Sequence, residues 1–376
     1  MRQVSLNKLH RYTPPPAVFF LFVLFNLCSC ATYTSNVPYD KSTFVEHGTE
    51  VTGEICSAKN DANAIITIIS DDGFYESGVI LNELAKETDL HVSVAGYVRR
   101  MKLYEEEWKQ IEEEGHVELI SHSWNYIDVN DTNPLSYDEL LVEYVDAKQY
   151  YEETFSTPAF TFVPPINSLT EMGYEILIEH GILAARQGKR GMNSLYPNYG
   201  TGLGELLNLY TIGIGDKNTT EERNSWINQA IIEKKWLIEM WHDVSPNGDL
   251  NYQPISTEMA REHLEYLATL EDNGEIWVAP FTEAVSYIYQ RDFSELHTHK
   301  YRDQILVWLE KENEMLPWND FNTSLSISLK LPNDWTEATI LSTNDTISKA
   351  TYVPDENGFI ILDLSPSSQY ICLQKK

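Results

Sequence analysis

From about residue 63 the chain alternates between short apolar runs and longer segments whose apolar residues recur at helical spacing. The runs that read as strands are 64–70 (AIITIIS), 91–97 (HVSVAGY), 116–122 (HVELISH), 159–165 (AFTFVPP), 181–187 (GILAARQ), 206–213 (LLNLYTIG), 236–243 (WLIEMWHD) and 275–281 (EIWVAPF). Between them lie amphipathic helices over 103–115, 136–155, 219–235 and 257–272. Several begin at Ser or Thr with Glu three positions on, a helix-start signature. Seven or eight strands alternating with helices predict a mainly parallel sheet covered on both faces. At this length the expected form is α/β, a distorted (β/α)7–8 barrel.

After about residue 295 the helical rhythm fades. Short runs split by Asn, Asp, Gly or Pro predict a small all-β sandwich over 316–376. Residues 61–295 then form the barrel domain, and 30–60 read as tether and lead-in. The first 29 residues have a positive start (Lys8, Arg11) and an apolar core over 17–27, too short for a comfortable membrane span. The LCSC at 27–30 resembles a bacterial lipoprotein box, which predicts cleavage before Cys30 and lipidation of its thiol. Ala31 rather than Asp follows it, which by analogy with other lipoproteins points to the outer membrane of a Gram-negative bacterium. The expected location is therefore extracytoplasmic, with the membrane touched through the lipid alone. Cys56 and Cys372 remain as either a disulfide joining the two ends of the fold or two separate buried thiols. The net charge of −30 excludes nucleic acid as a partner.

The chemistry-bearing residues fall at strand ends. Asp71 and Asp72 follow the first strand, His122 ends the third, Pro164 and Pro165 end the fourth, and His242 with Asp243 ends the seventh. The carboxyl ends of barrel strands share one face, so these distant segments are expected on one rim. An Asp pair with two histidines can hold a divalent cation such as zinc, take a proton from water and return one to a leaving group. That suits hydrolysis of an amide or ester. The plain alternative is a solvated Asp-Asp-Gly turn.

The segments SDDG (70–73), SHSWNY (121–126), VPPIN (163–167) and EMWHD (239–243) resemble, in order and spacing, the polysaccharide deacetylase family, the NodB-homology domain of carbohydrate esterase family 4. The resemblance covers about residues 63–292. It implies a NodB-like distorted barrel that removes N- or O-acetyl groups from an acetylated glycan with a divalent metal, zinc foremost. It implies Asp71 as general base, His242 as general acid, and Asp72 and His122 as metal ligands. A backbone N–H near Pro165 and Ile166 is the expected oxyanion donor, and Trp124, Tyr126 and Trp241 could stack on sugar rings.

Two departures stand out. Tyr126 occupies the place of the family's second histidine ligand, with Asn125 or Asp128 the nearby substitutes. Val163 occupies the place of the arginine that orients the base. Both leave open a lipid-anchored glycan-binding protein without turnover. Of the other histidines, His263 is expected at a surface or element end, and His297 and His299 in a solvated hinge.

Overall fold

The computed structural model describes residues 41–376 apart from 131, 200–204, 250, 313–315, 318, 322, 344–349 and 367–369. Cys30, the signal segment 1–29 and the start of the tether lie outside the described residues. Residues 41–376 form one compact unit.

Its centre is a barrel of seven parallel strands: β1 (Ala64–Ser70), β2 (Val92–Gly96), β3 (Val117–Ser121), β4 (Thr161–Phe162), β5 (Ala184–Arg190), β6 (Leu209–Gly213) and β7 (Lys235–Trp241). Each strand pairs with the next, and β7 returns to β1 with Trp236 beside Ile65 and Trp241 beside Ser70. An eighth strand, β8 (Ile276–Val278), pairs only with the first half of β1, while β2 takes the second half. Seven strands therefore close the barrel, and the eighth wedges into its lower edge.

The pleat sorts the side chains. Along β1, Ile65 and Ile69 point into the barrel and Ala64, Ile66 and Ile68 pack beneath the surrounding helices. The same parity places Ala95, Ile120, Val163, Ala184, Trp236 and Ile238 inside and Val94, Leu119, Leu237 and Trp241 outside.

After β8 the chain turns into a helix, Phe281–Asp292, whose first turn closes the lower end of the barrel. Phe281 N–H donates to Ser93 Oγ, Thr282 N–H donates to the Glu118 carboxylate, and Thr282 Oγ1 meets Thr161 Oγ1. A carboxylate facing the first turn suits the helix dipole. Ten of the twelve residues of this helix are buried, because its far side carries the β-rich tail. There Tyr287 donates to the Cys56 carbonyl, Gln290 to that of Thr323, and Arg291 to that of Ser57.

The expected sandwich is present but differently bounded. One sheet holds Thr49–Glu50, Ser294–Tyr301, Gln304–Lys311, Ile371–Lys375, Ala338–Thr343 and Thr351–Tyr352; the other holds Phe359–Leu364, Leu325–Lys330 and Gly53–Ile55. The tail strands therefore begin at Ser294 rather than at 316. Part of the supposed lead-in is sandwich strand, and a continuous apolar core joins tail to barrel.

This layout decides between the two readings of the cysteines and corrects one further expectation. Cys56 and Cys372 are both buried and do not form a disulfide. Cys56 borders the three-stranded sheet and Cys372 lies in the facing one. Burial pushes the Cys56 thiol up to about 12, with Asp61 and Glu54 adding to the effect. His297 and His299 sit within a strand, not a hinge, and stack on Trp308 with centroids 4.8 and 5.5 Å away.

Candidate active site

Asp71, His122, Arg186 and His242 all continue the inward parity of their strands, so their side chains meet at the upper end of the barrel. Asp71 N–H donates to the Trp241 carbonyl at 2.9 Å, and Ser70 Oγ donates to the His242 carbonyl at 2.7 Å. This stitching sets His242 level with Asp71: His242 Nε2 lies 3.9 Å from Asp71 Oδ2. Both side chains are almost fully buried.

An alternating strand would send Asp72 outward. It remains at the site because it leaves the strand conformation, with φ +73°. Gly73 follows at φ +63°, where a Cβ would come within 2.9 Å of Gly96 Cα. Arg100 fixes this turn by donating to the Asp72 carbonyl at 3.0 Å, its guanidinium 4.1 Å from the Phe74 ring centre and 4.7 Å from that of Tyr97.

His122 is held through Nδ1 against the Val163 carbonyl at 2.7 Å. That contact places the proton on Nδ1 and turns the bare Nε2 toward Asp72 Oδ1, 3.6 Å away. Neither atom has a hydrogen-bond partner at that distance. Burial alone would raise the Asp72 pKa, but the neighbouring His122, with His242 and Arg100 behind it, outweighs burial and the net shift is downward. The His242 pKa is lowered, chiefly by burial, although Asp71 and Asp72 pull the other way.

The sequence reading missed Arg186. Val163 stands where the resemblance implies an orienting arginine, but β5 provides one from across the lumen. Arg186 is completely buried; one terminal nitrogen donates to Asp71 Oδ2 and the other to Asn167 Oδ1. Asn167 and Ile166 both adopt positive φ, 59° and 52°, in the loop after β4. The guanidinium thus joins the carboxylate to the loop that carries Pro165 and the half-exposed Ile166. An arginine at an inward position of the apolar run 181–187 was the available signal.

Some expected substrate contacts lie elsewhere. Trp241 is fully buried on the outer face of β7, its Nε1 donating to Glu239 at 3.1 Å. Glu239 also meets His263 at 2.9 Å, so His263 is a buried partner rather than a surface residue. Trp124 packs on the helical side, edge-on to Tyr150 with Lys102 above its ring. Two aromatics do border the site: Tyr126, 5.1 Å from the His122 ring, and Tyr252, an exposed ring 4.8 Å from His242. Beside Tyr252 a cleft of about 580 Å³ runs past Arg190, Lys217 and Gln253. A second cavity of about 340 Å³, lined in part by His91, His116 and Glu283, opens at the opposite end of the barrel, away from these residues.

The expected zinc can be tested against the donors. Asp72 Oδ1 and His122 Nε2 are orphaned, buried and face one point, so two places of a coordination shell fit. The third does not. Tyr126 is a neutral phenol whose pKa burial raises further, Asp72 adding to the effect. Asn125 is turned away, its side-chain and backbone N–H groups both donating to the Glu143 carboxylate at 2.6 and 2.9 Å. Glu143 reaches that loop from a π-helical turn, Leu141–Asp146, inside the helix expected over 136–155. Asp128 is exposed. Among the described residues no group of three His, Cys, Asp or Glu side chains is placed to hold a metal. The described residues do not complete the three-ligand zinc set that the resemblance implies.

No protein-family profile matches the chain, and no curated protein matches it. Solved structures do. A protein from Mycobacterium smegmatis assigned as a polysaccharide deacetylase aligns with a TM-score of 0.46 at 13% identity, over 64% of this chain and 95% of the other. A family 4 acetyl xylan esterase from Clostridium thermocellum, bound to cobalt, gives 0.40 at 16%, over 58% and 89%. A CE4 family pseudoenzyme from Bacillus anthracis gives 0.39 at 15%, over 59% and 65%. At these scores the likeness adds nothing about chemistry, and the barrel rests on its own strand pairing.

Proposed function

We propose that this chain is a hydrolase that removes acyl groups, acetyl foremost, from a glycan. The observation that carries the reading is the buried Asp71 carboxylate, clamped by Arg186 on one side and faced by His242 on the other. Asp71 takes the proton from an attacking water. His242, on the neighbouring strand, supplies a proton to the departing sugar nitrogen or oxygen. The loop after β4 offers the Ile166 backbone N–H for the developing oxyanion, the Asn167 and Ser168 N–H groups being bonded within the loop, and Arg186 holds that loop and the base in one frame. Tyr252 with the cleft beside it, and Tyr126 next to His122, give a polyhydroxylated ring surfaces to stack on. The motif resemblance supports the substrate class, and no step is drawn through a metal. We also propose an extracytoplasmic location with a lipid on Cys30.

Acetate release from acetylated glycans tests this reading. Wild-type release with none from Asp71→Asn, both variants folded, is the expected result; equal release from both would refute the base. A second reading, glycan binding without turnover, is favoured by the missing third donor. It predicts glycan affinity with no acetate from either protein.

A further inference from the structure

We infer that Tyr126 makes the Asp72–His122 pair a metal-independent, hydrogen-bonded cluster, in which the phenol hydroxyl stands where a third ligand would be needed. Four observations converge. The backbone at Tyr126 has φ +61°, and its N–H donates to Ser123 Oγ at 3.1 Å, so a tight turn fixes where the ring starts. The ring lies edge-on to His122 at 5.1 Å and against Tyr97 at 5.5 Å, which leaves it little freedom. Its phenol is near enough to Asp72 for that carboxylate to add to the upward push that burial gives its pKa. Asn125 is committed to Glu143 and cannot swing in.

A buried carboxylate oxygen and a bare imidazole nitrogen at 3.6 Å are two electron-pair donors with nothing between them. They call for a cation or for an O–H or N–H donor. Tyr126 is the neighbour that supplies such a donor. A neutral phenol is a poor ligand for zinc, and two protein ligands alone leave the ion mostly hydrated and weakly held.

The test reads metal, not turnover. Purified wild type, Tyr126→His, Tyr126→Phe and Tyr126→His/His122→Gln are stripped with EDTA and dialysed against zinc chloride. Metal content is then measured by mass spectrometry, and thermal midpoints are recorded with and without zinc. A histidine tolerates the positive φ at this position and would complete an Asp-His-His set. Wild type and Tyr126→Phe should retain well under one zinc per chain, with midpoints unmoved by zinc or EDTA. Tyr126→His should retain about one zinc per chain. Its apparent affinity should exceed that of wild type by at least ~100-fold, and the gain should vanish in the double variant. Stoichiometric zinc in the wild type would overturn the inference. So would a folded Tyr126→His that binds no better than wild type. Acetate release assayed in EDTA on the same wild-type sample judges the proposed hydrolase separately. Its absence would remove the function and leave the metal result standing.

Discussion

Arg186→Met is the perturbation with the clearest expected size. The Arg186 side chain is 0% exposed and that of Asp71 is 5% exposed, so the pair sees almost no bulk screening. Two unit charges at hydrogen-bond distance attract by about 5 kcal/mol at an effective dielectric of 20. Desolvation removes much of that from the net worth of the pair. Deleting the arginine alone leaves Asp71 as a buried charge with only His242 close by, a loss of about 3–5 kcal/mol. Asp71→Asn alone leaves the guanidinium buried and should cost a similar amount. The double variant Asp71→Asn/Arg186→Met has neither orphan charge. It should be more stable than the sum of the singles by about 2–3 kcal/mol, well above the ~0.5 kcal/mol expected of independent sites. Urea unfolding of the four proteins, followed by tryptophan fluorescence at fixed pH, measures the cycle. Additive losses would show that Arg186 and Asp71 do not act as a pair, and the account of how the base is held would fall with them.

Other consequences follow from the same interior. Burial raises the Glu271 pKa from 4.5 to about 7. The folded state therefore holds a proton that the unfolded state gives up, and stability is lost as pH climbs through that window. Glu271→Gln should gain up to ~3 kcal/mol at pH 8 and nothing at pH 4; an equal gain at both pH values refutes the assignment. The His242 pKa is lowered, so its proton is lost below the usual histidine range. If that proton goes to the leaving group, kcat/KM should fall as pH rises past that point, and a profile still climbing at pH 8 would exclude His242 as the acid. The helix Phe281–Asp292 is buried from both sides. A chain ending at residue 293 should therefore lose cooperative unfolding and become insoluble, and recovery of a soluble barrel with a sharp transition would contradict the shared core. With no bond between Cys56 and Cys372, a reducing agent should leave the thermal midpoint unchanged; a fall of several degrees would restore the disulfide.

The barrel was legible in the sequence because its strands are apolar on both faces and their helices begin at recognisable caps. The choice between seven and eight closing strands was not, because the short β8 reads like any other strand, although it pairs with only half of β1. The tail boundary was missed for a different reason: Ser294–Tyr301 pairs with Gln304–Lys311 in a local hairpin, but its run of Glu295, His297, His299 and Lys300 hides the strand alternation. At the site, the two histidines and Asp71 could be placed from position alone, since each falls at the end of a run and keeps its inward parity.

That parity also explains the errors. In the run EMWHD, a strand that turns His242 into the barrel must turn Trp241 out of it, so the two could not both face a sugar. Trp241 accordingly lies under the helix Thr257–Asp272 with Glu239 and His263. Asp71 and Asp72 face the same conflict, and they share the site only because φ changes sign at Asp72. Arg186 was visible on the same rule, two residues beyond the inward Ala184. Its partner is 115 positions away on a strand that β5 does not touch. A long cationic side chain at an inward position of an apolar strand has to find a carboxylate across the lumen, and in this barrel Asp71 is the one it meets. On the proposed reading, Arg186 on β5 takes the orienting part that the resemblance implies at the position of Val163, whereas no described residue takes that of the histidine implied at Tyr126. The groups proposed for proton transfer are thus held together, while those proposed for a metal are one donor short among the described residues.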